Sequence, residues 1–410
     1  MNSLAPVAAE NRYQCVVIDD DPDICTLIST VLAKIGVTSR GLSSAGALVG
    51  ALQEPHPAVI FLDVTLDRSD AIDGIRILRQ RSFAGAVQLI SGKDPELLNN
   101  IKAIGERHGL KMLDPLQKPF RSEHLRRIFK GHNDNVGRPV ADIAQPALAA
   151  TPEVPPVDQP VRVDLTEALE AHWLDMAYQP KVDLLHDHVV GAEGLARINH
   201  PVHGLLGPQS FLPGAPEAAL TRLTEFVIKK AFLDWEVMAG VGRNLHLAVN
   251  APVKALIDPD LIALVREHHP RSTSWPGLII EVTEDEAVQE FEAVSEAAVQ
   301  LRIYNITLAI DDFGSGYSSF ARLKQFPFSE IKLDRSFVQN LASDQVNAGI
   351  CQSIVKLARA TGAECVAEGI ETEADRQALV RVGCMFGQGY FFGRPMSVGK
   401  LIERTKVPRD

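Results

Sequence analysis

Acids, a hydroxyl and a lysine recur in the first third of the chain where phosphoryl chemistry could use them. Asp19, Asp20 and Asp21 follow the apolar run Cys15–Ile18, Asp63 closes Val59–Leu62, Ser91 closes Ala86–Ile90, and Lys118-Pro119 follows Lys111–Leu113. Together these equip a Mg²⁺-assisted phosphoryl acceptor: an aspartate cluster for the hard cation, Asp63 as nucleophile, Ser91 and Lys118 on the phosphoryl oxygens. Each has a plainer explanation when taken singly. DDDPD could be a helix-capping turn and Lys118 a solvated side chain. Recurrence at successive strand ends favours the chemical reading.

A second, larger set lies further along. At the ends of strand-like runs the chain offers Glu193, Asn250, Glu281, Asp311 with Asp312, Lys332 with Asp334, Glu368 and Gln388. Buried charges are costly unless paired, and one or two divalent cations are the simplest compensation for such a ring. No His or Cys falls at these positions, so Mg²⁺ or Mn²⁺ is expected rather than Zn²⁺. Strand alternation puts Glu193 and Arg197 on one face, the first able to meet a metal and the second a phosphate. Asp311 and Asp312 would point oppositely in a regular strand, and the turn Phe313-Gly314-Ser315-Gly316 is expected to bring them to one site. The same alternation places Lys332 inside with Glu330 and Asp334. Bland counterparts exist here too: a capping box at Glu281–Glu284, a simple GSG turn, a solvated DD loop. Joint placement at strand ends outweighs them.

These residues need elements to hold them. At 410 residues the chain is roughly two to three domains long. Six prolines between Pro139 and Pro160 mark a semi-extended linker over 131–161, separating a domain at 13–130 from another at 162–405. The first alternates strands with the amphipathic stretches Ile24–Ile35, Ile72–Arg79, Leu97–Arg107 and Ser122–Lys130. That pattern predicts an α/β fold with a doubly wound, flavodoxin-like sheet, whose site lies at the carboxyl ends of its strands. The second domain shows strand candidates Met176–Lys181, Val189–Arg197, Leu245–Asn250, Leu278–Val282, Thr307–Asp311, Ser329–Leu333, Glu364–Ala367 and Cys384–Phe386. Between them lie helical stretches such as Leu220–Met238, Asp285–Leu301 and Val346–Ala360. About 245 residues in this pattern fit a (β/α)₈ TIM-like barrel, with an open sheet the alternative that periodicity leaves standing.

Composition narrows the class. Apolar residues make up 46% and charged ones 23%, which is ordinary globular usage. The net charge of −11, without a basic stripe, argues against duplex DNA as a partner. No apolar run reaches membrane-spanning length, and the N-terminus lacks the basic start and apolar core of a signal peptide. Five cysteines at 15, 25, 351, 365 and 384 form no C-x-x-C pair and read as buried free thiols in a reducing cytoplasm.

Residues 13–130 resemble a response-regulator receiver domain, with VVIDDDPDI, VIFLDV, LISG and QKPF in order. The resemblance implies Asp19 and Asp20 as Mg²⁺-binding acids, Asp63 as phosphoacceptor, Ser91 as switch hydroxyl and Lys118 as the phosphoryl-contacting lysine. Two departures stand out: a loop from Asp63 to Asp73-Gly74 about three residues longer than is usual in the βα turns of such folds, and Pro115 where an aromatic switch residue is usual.

The region from 165 to 400 resembles an EAL-type cyclic di-GMP phosphodiesterase domain through YQPKVDL, AEGLAR, AVNAP, IIEVTE, IDDFGSGYSS, IKLDRSF, AEGIET and QGYFFGRP. This implies one metal on Glu193, Asn250, Glu281 and Asp311, and a second on Asp311, Asp312 and Glu368. Lys332 would position or deprotonate the attacking water, with Gln388 hydrogen-bonding nearby. Gln179 and Arg197 match positions contacting the dinucleotide, while Glu284 and Glu371 match positions that support the DDFG loop and site geometry. Gly194 departs from the signature, giving EGL for EAL; it lies on the strand face opposite Glu193, so packing should change more than ligation. The pairing of domains implies a cytoplasmic response regulator that hydrolyses cyclic di-GMP to pGpG with two Mg²⁺ or Mn²⁺ ions. Its partners would be a sensor histidine kinase and a second copy of itself. A non-catalytic cyclic di-GMP sensor and a phosphorylation-dependent interaction protein are the rivals.

Overall fold

Five strands of the N-terminal unit, β1 (Cys15–Ile18), β2 (Ser39–Leu42), β3 (Val59–Asp63), β4 (Ala86–Ser91) and β5 (Lys111–Met112), pair in parallel in the order β2-β1-β3-β4-β5. The computed structural model describes residues 14–52, 57–120, 123–125, 128, 161–314 and 326–405. The linker and most of the helical stretch read at Ser122–Lys130 lie outside the described residues. Contacts divide the chain into two units, Met1–Val157 and Asp158–Asp410. Strands β1, β3 and β4 are buried along their whole length, as parallel strands flanked by helices on both faces must be. Helices Pro22–Ala33, Ala71–Gln80 and Pro95–Arg107 connect them. This is the doubly wound order, and it reverses between β1 and β3, which is where such sheets bind ligands.

The long loop after Asp63 folds on itself. Thr65–Leu66 pairs antiparallel with Ser69–Asp70, and Asp70 then caps the next helix through the amides of Ile72 and Asp73, with Asp73 completing a capping box. Pro115 is half-buried between β5 and Leu116–Gln117, which pairs with the end of β4.

The C-terminal unit is a closed barrel. Strands β6 (Leu174–Asp183), β7 (His188–His200), β8 (His246–Asn250), β9 (Leu278–Thr283), β10 (Ile306–Phe313), β11 (Phe328–Leu333), β12 (Glu364–Ala367) and β13 (Phe386–Gly387) pair in sequence, and β6 pairs with both β13 and β7 to close the ring. Gly204–Leu206 is appended outside it, on β7. The ring is parallel except at β6, which runs antiparallel to both neighbours. Only Leu184–Asp187 separates β6 from β7, whereas a parallel crossover needs a dozen or more residues. The first connection is therefore a hairpin rather than a βα unit. Helices such as Glu217–Gly240 and Gln345–Thr361 clothe the outside, while the stretch read as one helix from Asp285 is two, Glu284–Gln289 and Phe291–Ile303, broken at Glu290. The open-sheet alternative does not hold.

All five cysteines are unpaired, and only Cys25 is partly exposed. No described helix is long and apolar enough to cross a membrane.

Two charged layers sit inside the barrel. In the lower one Lys181 Nζ lies 2.6 Å from Glu330 Oε2; β6 and β11 are not neighbours in the ring, so this contact crosses the interior. Both residues are buried. Beside them burial pushes Glu364 up and His246 down in pKa, Lys181 lowering His246 further and opposing the rise in Glu364. Replacing Glu330 by Ala strands a buried ammonium and should cost roughly 3–5 kcal/mol, whereas Lys181→Met with Glu330→Leu should recover most of it. All three tryptophans lie at 173, 235 and 275, so urea unfolding followed by their fluorescence reports this barrel directly.

Candidate active site

The upper layer is built around Lys332, two residues beyond Glu330 on β11 and therefore on the same inward face. Its side chain is among the most deeply buried of the chain, at 1% exposure. Four carboxylates, three from other strands and one just past the end of β12, converge on its Nζ: Glu281 Oε2 at 2.6 Å, Glu368 Oε1 at 2.5 Å, Asp311 Oδ1 at 3.2 Å and Glu193 Oε2 at 3.5 Å. Two amides then tie the acids together. Asn250 Nδ2 donates to Glu193 Oε1 at 2.7 Å, and Gln388 Nε2 donates to Glu193 Oε2 at 2.6 Å and Glu368 Oε1 at 3.1 Å.

Crowding of like charge shapes the titration. Burial and the Glu193 charge hold Glu281 well above the ordinary carboxylate range. Glu368 is pushed up to about 7, by burial and then by Asp311 and Glu193 against the pull of Lys332. Glu193 goes the other way: burial would raise it, but Lys332 and the two amides outweigh that. Burial would also discharge Lys332, yet its carboxylates hold it protonated far above the usual lysine value.

Asp312 joins through a backbone irregularity. The β10–β11 register shifts between Ile310 and Phe313, and Asp312 sits at φ +54°, a left-handed conformation that Asp tolerates better than most residues. As a result Asp311, Asp312 and Glu368 bring carboxylate oxygens within 4.8 Å of one another. The irregularity already includes Asp312, ahead of the Phe-Gly-Ser-Gly turn expected to align the two acids, of which Ser315 and Gly316 lie outside the described residues. Glu284 is not a capping-box member, because Thr283 caps without its side chain. Instead Glu284, buried, accepts from the Gly314 amide at 3.1 Å and braces the loop where it leaves the strand; from Ser315 onward that loop is outside the described residues.

The other expected residues fall around this centre. Gln179 is the register partner of Glu193 across β6–β7, and its amide donates to the Gly393 carbonyl at 3.3 Å. Arg197, half-buried further along β7, donates to the Ala196 carbonyl at 2.8 Å. Glu371 is not among the converging acids: it pairs at 2.7 Å with Arg335 in an exposed bridge. Asp334 caps the short helix Arg335–Val338 through the Ser336 amide and also lies against Asp312, whose pKa is raised by burial and then by the Asp311 and Asp334 charges. Arg335 was not singled out from sequence, although it follows Asp334 in IKLDRSF.

The N-terminal unit repeats the design in miniature. Lys118 Nζ lies 2.7 Å from Asp19 Oδ2 and 3.0 Å from Asp63 Oδ1, and Asp19, Asp20 and Asp63 bring ligand oxygens within 4.8 Å. Burial, with a smaller push from Asp19, raises Asp63 to about 6 against the pull of Lys118. Ser91, buried at the end of β4, accepts from the Lys93 amide at 3.0 Å. The capping reading of DDDPD is right for one residue only, since Asp21 accepts from the Asp23 amide at the start of the first helix.

Both centres suit hard divalent cations. Their donors are carboxylate and amide oxygens, and in the barrel five acids (Glu193, Glu281, Asp311, Asp312 and Glu368) face a single ammonium, a surplus that oxygen-preferring ions neutralise.

Comparison with known proteins identifies the families of the two units. The EAL domain family matches residues 162–395 and the response regulator receiver domain family matches residues 15–130. The cyclic di-GMP phosphodiesterase RocR of Pseudomonas aeruginosa is 32% identical over 399 residues, covering 94% of this chain and 97% of RocR. The bifunctional diguanylate cyclase/cyclic di-GMP phosphodiesterase MucR of the same organism is 39% identical over 242 residues, 58% of this chain and 35% of MucR. A solved structure titled as the PaMucR phosphodiesterase in complex with c-di-GMP superposes with a TM-score of 0.53 at 38% identity, covering 58% of this chain and 97% of that one.

Beside Glu193 the space opened by Gly194 is filled. A Cβ there would stand 2.2 Å from Met176 Cε and 3.2 Å from Tyr178 Cε1, so the glycine and the methionine of the adjoining strand complement one another. Gly194→Ala should cost less than about 1 kcal/mol, because the clashing Met176 methyl is the free end of a flexible side chain that can swing aside, and the residual cost should vanish in a Met176→Ala background, a coupling that a double-mutant cycle in urea unfolding measures. Hydrolytic rate should change little, because the substitution points away from Glu193.

Proposed function

The chain belongs to the EAL domain family and carries a response regulator receiver domain, and we propose that its barrel opens cyclic di-GMP to linear pGpG under control of Asp63 phosphorylation. It is a cyclic di-GMP phosphodiesterase. The observation that carries the reading is the convergence of Glu193, Glu281, Asp311 and Glu368 on buried Lys332, with Asp312 alongside. A domain that only held the dinucleotide would have no need of a complete set of metal-binding acids.

Glu193, Asn250, Glu281 and Asp311 would hold one Mg²⁺ or Mn²⁺, and Asp311, Asp312 and Glu368 a second. Such ions supply a lowered pKa for water and neutralisation of charge developing on the phosphodiester. Asn250 spends its amide nitrogen on Glu193, keeping its carbonyl oxygen available as a donor. Gln388 bridges Glu193 and Glu368, fixing the spacing between the two sets of acids. Lys332, held among Glu193, Glu281, Asp311 and Glu368, would position or deprotonate the attacking water. It donates hydrogen bonds to the attacking water or a phosphoryl oxygen while water adds to phosphorus in line. The P–O3′ bond breaks, and the 3′-oxygen leaves with a proton. Arg197 pairs with a substrate phosphate and Gln179 with the dinucleotide. Glu284 and Glu371 act on substrate only through the segments they brace.

Residues 13–130 would receive the signal, 131–161 carry it and 162–405 answer it. Asp19 and Asp20 hold Mg²⁺, Asp63 accepts the phosphoryl group from a sensor histidine kinase in the cytoplasm, and Ser91 and Lys118 contact it. Dimerisation of the chain is the proposed route of transmission.

Lys332→Ala and Glu193→Ala should each lower turnover by ~10²–10³-fold or more while leaving circular dichroism unchanged, measured as pGpG release with Mg²⁺. Binding of cyclic di-GMP by wild type without pGpG release would overturn hydrolysis. A small-molecule phosphodonor should change wild-type turnover and leave Asp63→Asn unaffected; equal rates and equal assembly in both would remove the regulatory claim.

A further inference from the structure

Away from both acidic centres a third group of metal-ligating side chains converges, at the hairpin joining β6 to β7. Asp183 and His188 are register partners across this antiparallel pair, so their side chains leave one face with Cβ atoms about 4.5–5.5 Å apart. His186, on the turn, brings Nδ1 to 3.1 Å from Asp183 Oδ2, and its ring centroid lies 6.0 Å from that of His188. One ligand atom from each of the three falls within 4.8 Å of the others. The carboxylate is already oriented, because Oδ1 accepts from the Leu185 and His186 amides at 2.9 and 2.8 Å, which turns Oδ2 to the imidazoles.

The geometry points to a transition-metal site here, with Zn²⁺ as the ion its donors select. Two imidazoles and one carboxylate suit zinc, and they contrast with the all-oxygen sets suited to magnesium elsewhere in the chain. Zinc bonds of about 2.0–2.1 Å space tetrahedral ligand atoms roughly 3.3 Å apart. The His186–Asp183 contact is already near that spacing, and rotation of the exposed His186 and His188 side chains closes the rest. Both histidines line a cavity of about 530 Å³, leaving room for a fourth ligand. Arg243 and Arg404 line it too, which favours an anion in that position.

The location gives the ion a task. His188 begins β7, so the site lies at the end of the barrel opposite Lys332, and Asp183 pairs with Phe386 of β13 as well as with β7. A zinc ion would staple the antiparallel strand at the seam where the ring closes, stabilising the fold without entering the reaction.

Untagged full-length chain, kept in saturating Mg²⁺, should bind one more equivalent of Zn²⁺ by calorimetry than His186→Gln/His188→Gln. Zinc should raise the melting temperature by a few degrees in wild type only, and Co²⁺ as a probe should give its tetrahedral absorption only there. Asp183→Asn keeps the amide-accepting oxygen and should weaken binding at least tenfold. Without zinc, melting and Mg²⁺-supported turnover should match between wild type and the histidine variant, which separates this site from the catalytic one. Equal zinc stoichiometry in the two proteins, or no zinc uptake by wild type, overturns the site.

Discussion

The structure turns on one ammonium group that water cannot reach. Lys332 is enclosed by a ring of eight strands, and its charge is balanced only by carboxylates delivered from β7, β9, β10 and the end of β12. In so dry a place each charge interaction is strong and each unpaired charge costly, so the strand ends cannot shift independently. Any slip of one strand would separate an acid from its partner. The geometry of the site and the register of the barrel are therefore the same constraint seen at two scales.

The receiver shows the same logic in an open sheet. Asp19 and Asp63 emerge on either side of the point where strand order reverses, and Lys118 spans the gap between them. There the acids are fewer and the lysine is partly exposed, so Asp63 is raised only to about 6.

Much of this was legible in the sequence because buried parallel strands announce themselves as apolar runs ending in polar residues. Most barrel strands and the polar residues towards their C-terminal ends follow that rule, although Glu193 sits in the middle of the long β7 and β13 falls at Phe386–Gly387 instead of Cys384–Phe386. Ser39-Arg40-Gly41-Leu42 does not: it is an edge strand, half-exposed, with no apolar or β-branched pattern, and only its backbone pairing with β1 defines it. The antiparallel sense of β6 was available in principle from the four-residue gap after Asp183 but has no signature in hydrophobicity. The bulge at Asp312 and the fit of Met176 against Gly194 arise between strands, so no reading along a single strand could find them. Asp334 does two jobs that alternation alone does not separate, because it lies just past the end of β11, capping the next helix while contacting Asp312.

The two layers inside the barrel show why one is structural and the other chemical. Glu330 and Lys332 stand two residues apart on β11 and point the same way, yet their surroundings differ in charge balance. Below, Glu330 pairs one-to-one with Lys181, with Glu364 and His246 at the margin of the pair. Above, a single Lys332 faces an excess of acids, crowded enough that burial and like charge push Glu281 and Glu368 up in pKa. A neutral layer has no reason to recruit anything, whereas an anionic one attracts cations and, through them, an anionic substrate that the bare acids would repel.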